Sequence, residues 1–201
     1  MPVISVTLLP GYSGDVEARL VGRLAIAARS VIAASSAGTT VFVNHASTYQ
    51  RNGQIFSTGG LDRPVASEVV QAFLQALQRR DLVAAQAFLA PDFVMVFPGG
   101  VRIHTLAEMV AWSTPRYRSI AKHCERFEEV WREEDAVVLC SGTLEGTWLD
   151  GCDFSGIRFM DRFEVSDGKI TRQEVWNDMA EIRSQNPVHG LEAAAQPDKV
   201  C

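Results

Sequence analysis

The chain opens Met1-Pro2. Loss of Met1, which a small second residue favours, would leave Pro2 with a free secondary amine. An α-amino group has an ordinary pKa of about 8, and an apolar pocket disfavours its charged form. Such a nitrogen can serve as a general base at cellular pH. A second candidate is Asp161, in the run Arg158-Phe159-Met160-Asp161-Arg162-Phe163. Strand alternation puts it on the same face as Phe159 and Phe163. A carboxyl group among phenylalanines needs a raised pKa or a dedicated partner. Arg158, Arg162 and Arg172 are the candidate partners. Without one, a neutral acid could donate a hydrogen bond to a substrate oxygen as negative charge develops there. His104 lies in the loop before a helix start, as an acid or base to work with Asp161 or as a capping histidine. Arg51, in Tyr49-Gln50-Arg51-Asn52-Gly53, offers a cation near a pocket mouth or a solvated hairpin charge.

The remaining reactive residues are less organised. Cysteines fall at 124, 140, 152 and 201 and histidines at 45, 104, 123 and 189, with no CxxC spacing. The expectation is free thiols in a reducing cytoplasm. No metal site is expected, because His123-Cys124 cannot complete a tetrahedral set, and no cofactor is implied. The 201 residues carry a formal net charge of −5. An acidic chain without a basic stripe is a poor nucleic-acid binder. No apolar run approaches the roughly 20 residues of a membrane helix, and the N-terminus has no signal-peptide pattern.

Two kinds of element order must position these residues. Up to about residue 60 the pattern is βαβ. Val3 to Leu9 reads as a buried strand, Ser13 as the N-cap of a helix with Leu20, Leu24, Ala27 and Val31 on one face, and Thr39 to Asn44 as the second strand. Asn52-Gly53 signals a hairpin. Such a unit leaves one sheet face uncovered, which predicts a partner, with a homo-oligomer the expectation. Leu61-Asp62-Arg63-Pro64 reads as a linker. Beyond it come a helix through Val70, Phe73, Leu74 and Leu77, a shorter one capped by Asp81, a strand from Phe93 to Phe97, and a capping-box helix opened by Thr105 and Glu108. Four long strands follow, about 119–131, 136–148, 155–165 and 169–178, separated by turns at 133–135, 150–151 and 167–168. Helices followed by an antiparallel meander make an α+β fold. A curled sheet over helices encloses a cone that commonly holds a small-molecule pocket. The expected domains are 1–62 and 63–186, with a frayed tail at 187–201.

Residues 2–60 resemble the tautomerase superfamily of 4-oxalocrotonate tautomerase, through Met1-Pro2, the βαβ order, Gly11 after the first strand and the Gly-rich hairpin end. The resemblance implies Pro2 as the catalytic amine. The family's two substrate-binding arginines map onto Tyr12 and Thr40, so both clamps are absent. Tyr12 or Arg51 would then polarise the substrate oxygen.

Residues 65–183 resemble the SnoaL-like branch of the NTF2-like, ketosteroid-isomerase-like superfamily. The carriers are Phe73, Leu77 and Asp81-Leu82, then Leu89-Ala90-Pro91-Asp92-Phe93, His104, Gly142 and Gly146. After them come Asp161 with its neighbours, Asp167-Gly168-Lys169-Ile170 and Glu174-Val175-Trp176-Asn177-Asp178. The resemblance aligns Phe97 with the isomerase base and Asp161 with the oxyanion-hole acid, an acid that is itself a standard example of a raised pKa. It also implies that Gln173, Val175 and Asn177 face the cone. The expected function is a small-molecule isomerase or tautomerase that transfers a proton α to a carbonyl. Pro2 would be the base, His104 and Asp161 acid–base groups, and Tyr12, Arg51, Phe97, Phe159 and Asn177 substrate contacts. A dehydratase or cyclase in the cone and a non-catalytic binding module are the alternatives.

Overall fold

The computed structural model describes residues 1–185, so the expected tail at 187–201 lies outside the described residues. The chain divides into two units, the first spanning Met1–Arg63 and the second beginning at Pro64.

In the first unit, β1 (Val3–Leu8) pairs in parallel with β2 (Thr40–His45), and α1 (Gly14–Val31) connects them. Ser13 caps α1 by accepting from the Val16 amide, and Asp15 and Glu17 occupy its first turn. There they meet the positive end of the helix dipole. The hairpin β3 (Tyr49–Arg51) and β4 (Gln54–Phe56) turns at Asn52 and Gly53, both with positive φ. That is the backbone a two-residue type I′ turn requires. No residue of this unit is fully buried. Ile4, Val6 and Leu8 are partly covered, whereas Val3 is 64% and Phe42 54% exposed.

The second unit packs α2 (Ala66–Gln78), α3 (Leu82–Gln86) and α4 (Leu106–Ser113) with a six-stranded sheet, and α5 (Met179–Gln185) follows the last strand. The strands are β5 (Leu89–Phe97), β6 (Val101–Ile103), β7 (Tyr117–Arg132), β8 (Asp135–Trp148), β9 (Asp153–Ser166) and β10 (Lys169–Asn177), in the order β6-β5-β10-β9-β8-β7. Only β5 and β10 run parallel. Val70, Phe73, Leu74 and Ala76 bury one face of α2 against Val138, Phe163, Val165 and Ile170 of the sheet. Phe73 meets Phe163 edge-on at 6.2 Å.

In β5 and β7 the differences from the pattern-based expectation have an identifiable cause. β5 begins at Leu89 and runs through Pro91. Its register with β10 jumps between Leu89 and Val94. Pro91 therefore sits where the ladder is broken and its missing N–H costs nothing. β7 starts two residues before and ends one residue after the expected stretch, and its register with β8 slips between Cys124 and Arg126. A bulge of this kind bends the strand and shifts its side-chain parity.

Candidate active site

The interior of the second unit holds a cavity of about 910 Å³. Most of its wall is apolar, with Met95, Phe97, Leu144, Phe159 and Val175 among its residues. Phe97 stacks obliquely on Trp112 at 4.3 Å, and the Arg116 guanidinium lies 3.8 Å from the Trp112 ring centre.

Among the charged residues that line it, Arg80, Arg118 and Lys122, Lys122 is the one held by a buried carboxylate. Lys122 projects from β7, and its ammonium forms an ion pair with Asp161 on β9, two strands away. Asp161 is completely buried. The same carboxylate oxygen, Oδ2, accepts a hydrogen bond from Gln173 Nε2 at 2.9 Å. Asp161 Oδ1 and Gln173 Oε1 have no protein donor. The Lys122 ammonium also lies 4.7 Å from the centre of the Phe159 ring, a cation–π placement. A long stem along apolar surface with its charge at a fixed point is how lysine reaches across a hydrophobic wall.

The expected site residues are thus divided. Asp161 faces the cone as strand alternation requires, but a cation reaches it. That cation is Lys122, not Arg158, Arg162 or Arg172. Arg162 and Arg172 meet Glu174 on the outer face, and Arg158 meets Asp178 at 2.7 Å. Arg172 and Arg162 hold the Glu174 carboxyl below its usual range, the Arg172 hydrogen bond foremost. Phe97, Phe159 and Asn177 line the cavity. His104 does not. It is exposed, and its backbone N–H donates to Glu108 Oε2 while Thr105 Oγ1 accepts from the Glu108 amide. Its local role is at the helix start.

Pro2, Tyr12 and Arg51 belong to the first unit. The Pro2 carbonyl accepts from the Thr40 amide at the beginning of the strand pair. Tyr12 follows the other end of β1, where its hydroxyl accepts from the Gly60 amide at 2.7 Å. Arg51 ends β3. The six residues of β1 rise about 20 Å. The length of β1 therefore lies between Pro2 and Tyr12.

Lys122 was not among the expected site residues, and neither was Cys124, which also lines the cavity. The available signal was the alternation Ile120, Lys122, Cys124. The bulge hides it, because Phe127 rather than residue 126 continues the inward face. Among the described residues, no three His, Cys, Asp or Glu side chains are placed to hold a metal ion, and no helix is long and apolar enough to cross a membrane.

No curated protein matches the chain in sequence. Solved structures do match its fold. An NTF2-like protein of unknown function from Burkholderia pseudomallei is similar at 22% identity, covering 61% of this chain and 98% of its own, with a TM-score of 0.50. TerC, co-crystallised with polyporic acid, is similar at 22% identity over 59% and 95% of the two chains, with a TM-score of 0.51. An NTF2-like protein from Burkholderia thailandensis matches at 17% identity over 60% and 96%, with a TM-score of 0.50. These likenesses establish the cone fold. The family model described as a SnoaL-like domain matches residues 70–173. It begins after the first unit, takes in Lys122, Asp161 and Gln173, and spans a little over half of the sequence. On that match, the chain belongs to the SnoaL-like domain family.

Proposed function

We propose that the second unit is a small-molecule enzyme of isomerase or cyclase type, acting on a hydrophobic carbonyl compound. The SnoaL-like and NTF2-like family includes isomerases, cyclases and hydrolases. The observation that carries the reading is the Lys122 ammonium, set into an apolar wall and tethered by a buried carboxylate. When water or hydroxide in the cavity takes the proton from the carbon α to a carbonyl, the C–H electron pair enters the enolate and negative charge moves to the oxygen. A fixed cation at that oxygen stabilises the transition state more than the ground state. Asp161 is then a positioning residue, because it holds the ammonium. Gln173 fixes Asp161 in turn and leaves Oε1 to accept from a substrate hydroxyl. Phe97, Phe159 and Val175 receive the apolar skeleton, and Asn177 adds a polar contact.

Deuterium exchange at the α-carbon of aromatic β-diketones, followed by NMR, tests this reading. The wild type is expected to accelerate exchange. The Lys122→Met/Asp161→Leu double variant, which removes both charges of the ion pair, is expected to lose about 10²–10³-fold, the scale for one oxyanion donor. Exchange by the double variant at the wild-type rate would overturn it.

A second reading keeps the expected tautomerase chemistry in the first unit, with Pro2 as the base once Met1 is removed. The parallel βαβ pair that starts at Pro2 supports it. Because Tyr12 follows the far end of β1, the polarising group would be Arg51 or a residue of a second copy. Loss of exchange in Pro2→Ala, with the double variant still active, favours this reading.

We also propose that the protein is a homo-oligomer. The first unit buries no residue fully and exposes Phe42, Val3 and Ile55, more apolar surface than an isolated βαβ unit offsets. Light scattering at micromolar concentration is expected to give a multiple of the 22.1 kDa chain. A stable monomer would refute the assignment.

A further inference from the structure

Two thiols meet beside the cavity. Cys124 of β7 lines it, and Cys140 of β8 is fully buried behind. Their sulfurs lie 3.2 Å apart, with the Cys140 thiol donating to Cys124 Sγ. Lys122, two residues earlier, adds a positive charge on the same wall. We propose that Cys124 and Cys140 are a hydroperoxide-reactive dithiol, in which Cys124 is the attacking sulfur and Cys140 the resolving one.

The chemistry balances within the pair and one hydroperoxide. The Cys124 thiolate attacks the outer oxygen, the O–O bond breaks, and the alkoxide leaves and takes a proton from water. Cys124 becomes a sulfenic acid. The Cys140 sulfur then attacks Cys124 Sγ and displaces the hydroxyl group, which leaves as water with the Cys140 proton. The two thiols give up two electrons and form one disulfide, and the hydroperoxide becomes an alcohol and water. An apolar cavity of about 910 Å³ admits an organic hydroperoxide as well as hydrogen peroxide.

The electrostatics distinguish the cysteines. The Cys140 hydrogen bond, then the Lys122 ammonium and His123, hold the Cys124 thiol below its usual range against the opposing effects of burial and Asp161. The bond to Cys124 and burial push the Cys140 thiol far up, so it keeps the proton it donates. Cys152 is fully exposed, yet the neighbouring Asp150 carboxylate pushes its thiol up. Reactive cysteines are those with thiolate character and access, often beside a resolving thiol. Cys124 meets all three conditions, and Cys152 offers access without the thiolate.

The test is peroxide oxidation of the reduced, full-length protein. One equivalent of hydrogen peroxide or cumene hydroperoxide is added near pH 7, free thiols are alkylated, and the protein is digested with trypsin. Cleavage after Lys122, Arg126, Arg132 and Arg158 separates Cys124 from the peptide that carries Cys140 and Cys152. In the Cys152→Ser protein those two peptides are expected to be joined, with the loss of two hydrogens from the intact mass. In the wild type, Cys124 should react at least about tenfold faster than Cys152, following thiolate fraction rather than exposure. In Cys140→Ala, Cys124 should stop as a sulfenic acid that dimedone traps. Oxidation of Cys152 ahead of Cys124, or no trappable sulfenic acid in Cys140→Ala, would overturn the proposal.

Discussion

Lys122→Met will destabilise the second unit by about 3–5 kcal/mol, the scale for removing one partner of a buried ion pair. Asp161 has no solvent contact, and its Oδ1 already lacks a donor. Without Lys122, only the Gln173 amide would face a buried charge. The reverse substitution, Asp161→Leu, will cost less. The Lys122 side chain is 26% exposed, so its ammonium can turn into the cavity and recover hydration. The double variant will regain much of the loss, because replacing a buried pair with apolar groups is often close to neutral. It will not regain all of it. Gln173 loses its acceptor, and an unsatisfied buried amide costs roughly 1–3 kcal/mol. The expected order of destabilisation is therefore Lys122→Met first, then Asp161→Leu, with a favourable coupling in the double-mutant cycle. Urea unfolding followed by tryptophan fluorescence reads it out cleanly. Trp112, Trp131, Trp148 and Trp176 all lie in the second unit. An unchanged urea midpoint for Lys122→Met would show that the ion pair does not hold the site together.

This site was only half legible in the sequence. Period-two alternation is enough to put Asp161 with Phe159 and Phe163, and the same rule puts Gln173, Val175 and Asn177 on one face of β10. All of these face inward. The turn chemistry at Asn52-Gly53 and the capping box at Thr105 and Glu108 are local signals, and local signals survive in a single sequence. What joins Lys122 to Asp161 is not local. It depends on β7 lying two strands from β9, and on a bulge after Cys124 that resets which side chains point inward. The Cys124–Cys140 contact depends on the same register. The arginines near Asp161 in sequence looked like its natural partners, yet alternation sends Arg158 and Arg162 to the opposite face. His104 lies outside the cavity lining for a different reason. A histidine near a Gly-rich turn suggests a site, but His104 is exposed and its backbone bonds Glu108 at the start of α4.

The bulge has a counterpart across the ladder, which sets up the second large effect. Gly142→Ala is expected to cost about 3 kcal/mol, the upper end for forcing atoms into a packed position. A Cβ on Gly142 would lie 1.9 Å from the His123 carbonyl oxygen and 3.1 Å from the Glu125 amide nitrogen. The obstacle is backbone, which cannot rotate aside as a side chain can. The need for glycine here is close approach rather than a special backbone angle, because β8 presses against β7 where the bulge crowds it. Gly146 repeats the device, with a Cβ 2.1 Å from the Ser119 carbonyl oxygen, beside the other register shift of β7. Relief of either clash must push β7 outward, and β7 carries Lys122 and Cys124. Gly156→Ala is the matched control in the same unit. Gly156 has φ of +72° and open space around its missing Cβ, so alanine there costs only the left-handed backbone, about 1–2 kcal/mol. The same urea measurement should rank Gly142→Ala above Gly156→Ala. Gly142→Ala should also slow α-proton exchange in the protein that remains folded, since the ammonium moves with its strand, whereas Gly156→Ala should not. If the two alanines cost the same, or Gly142→Ala leaves exchange untouched, then β7 is not held in place by the close approach of β8.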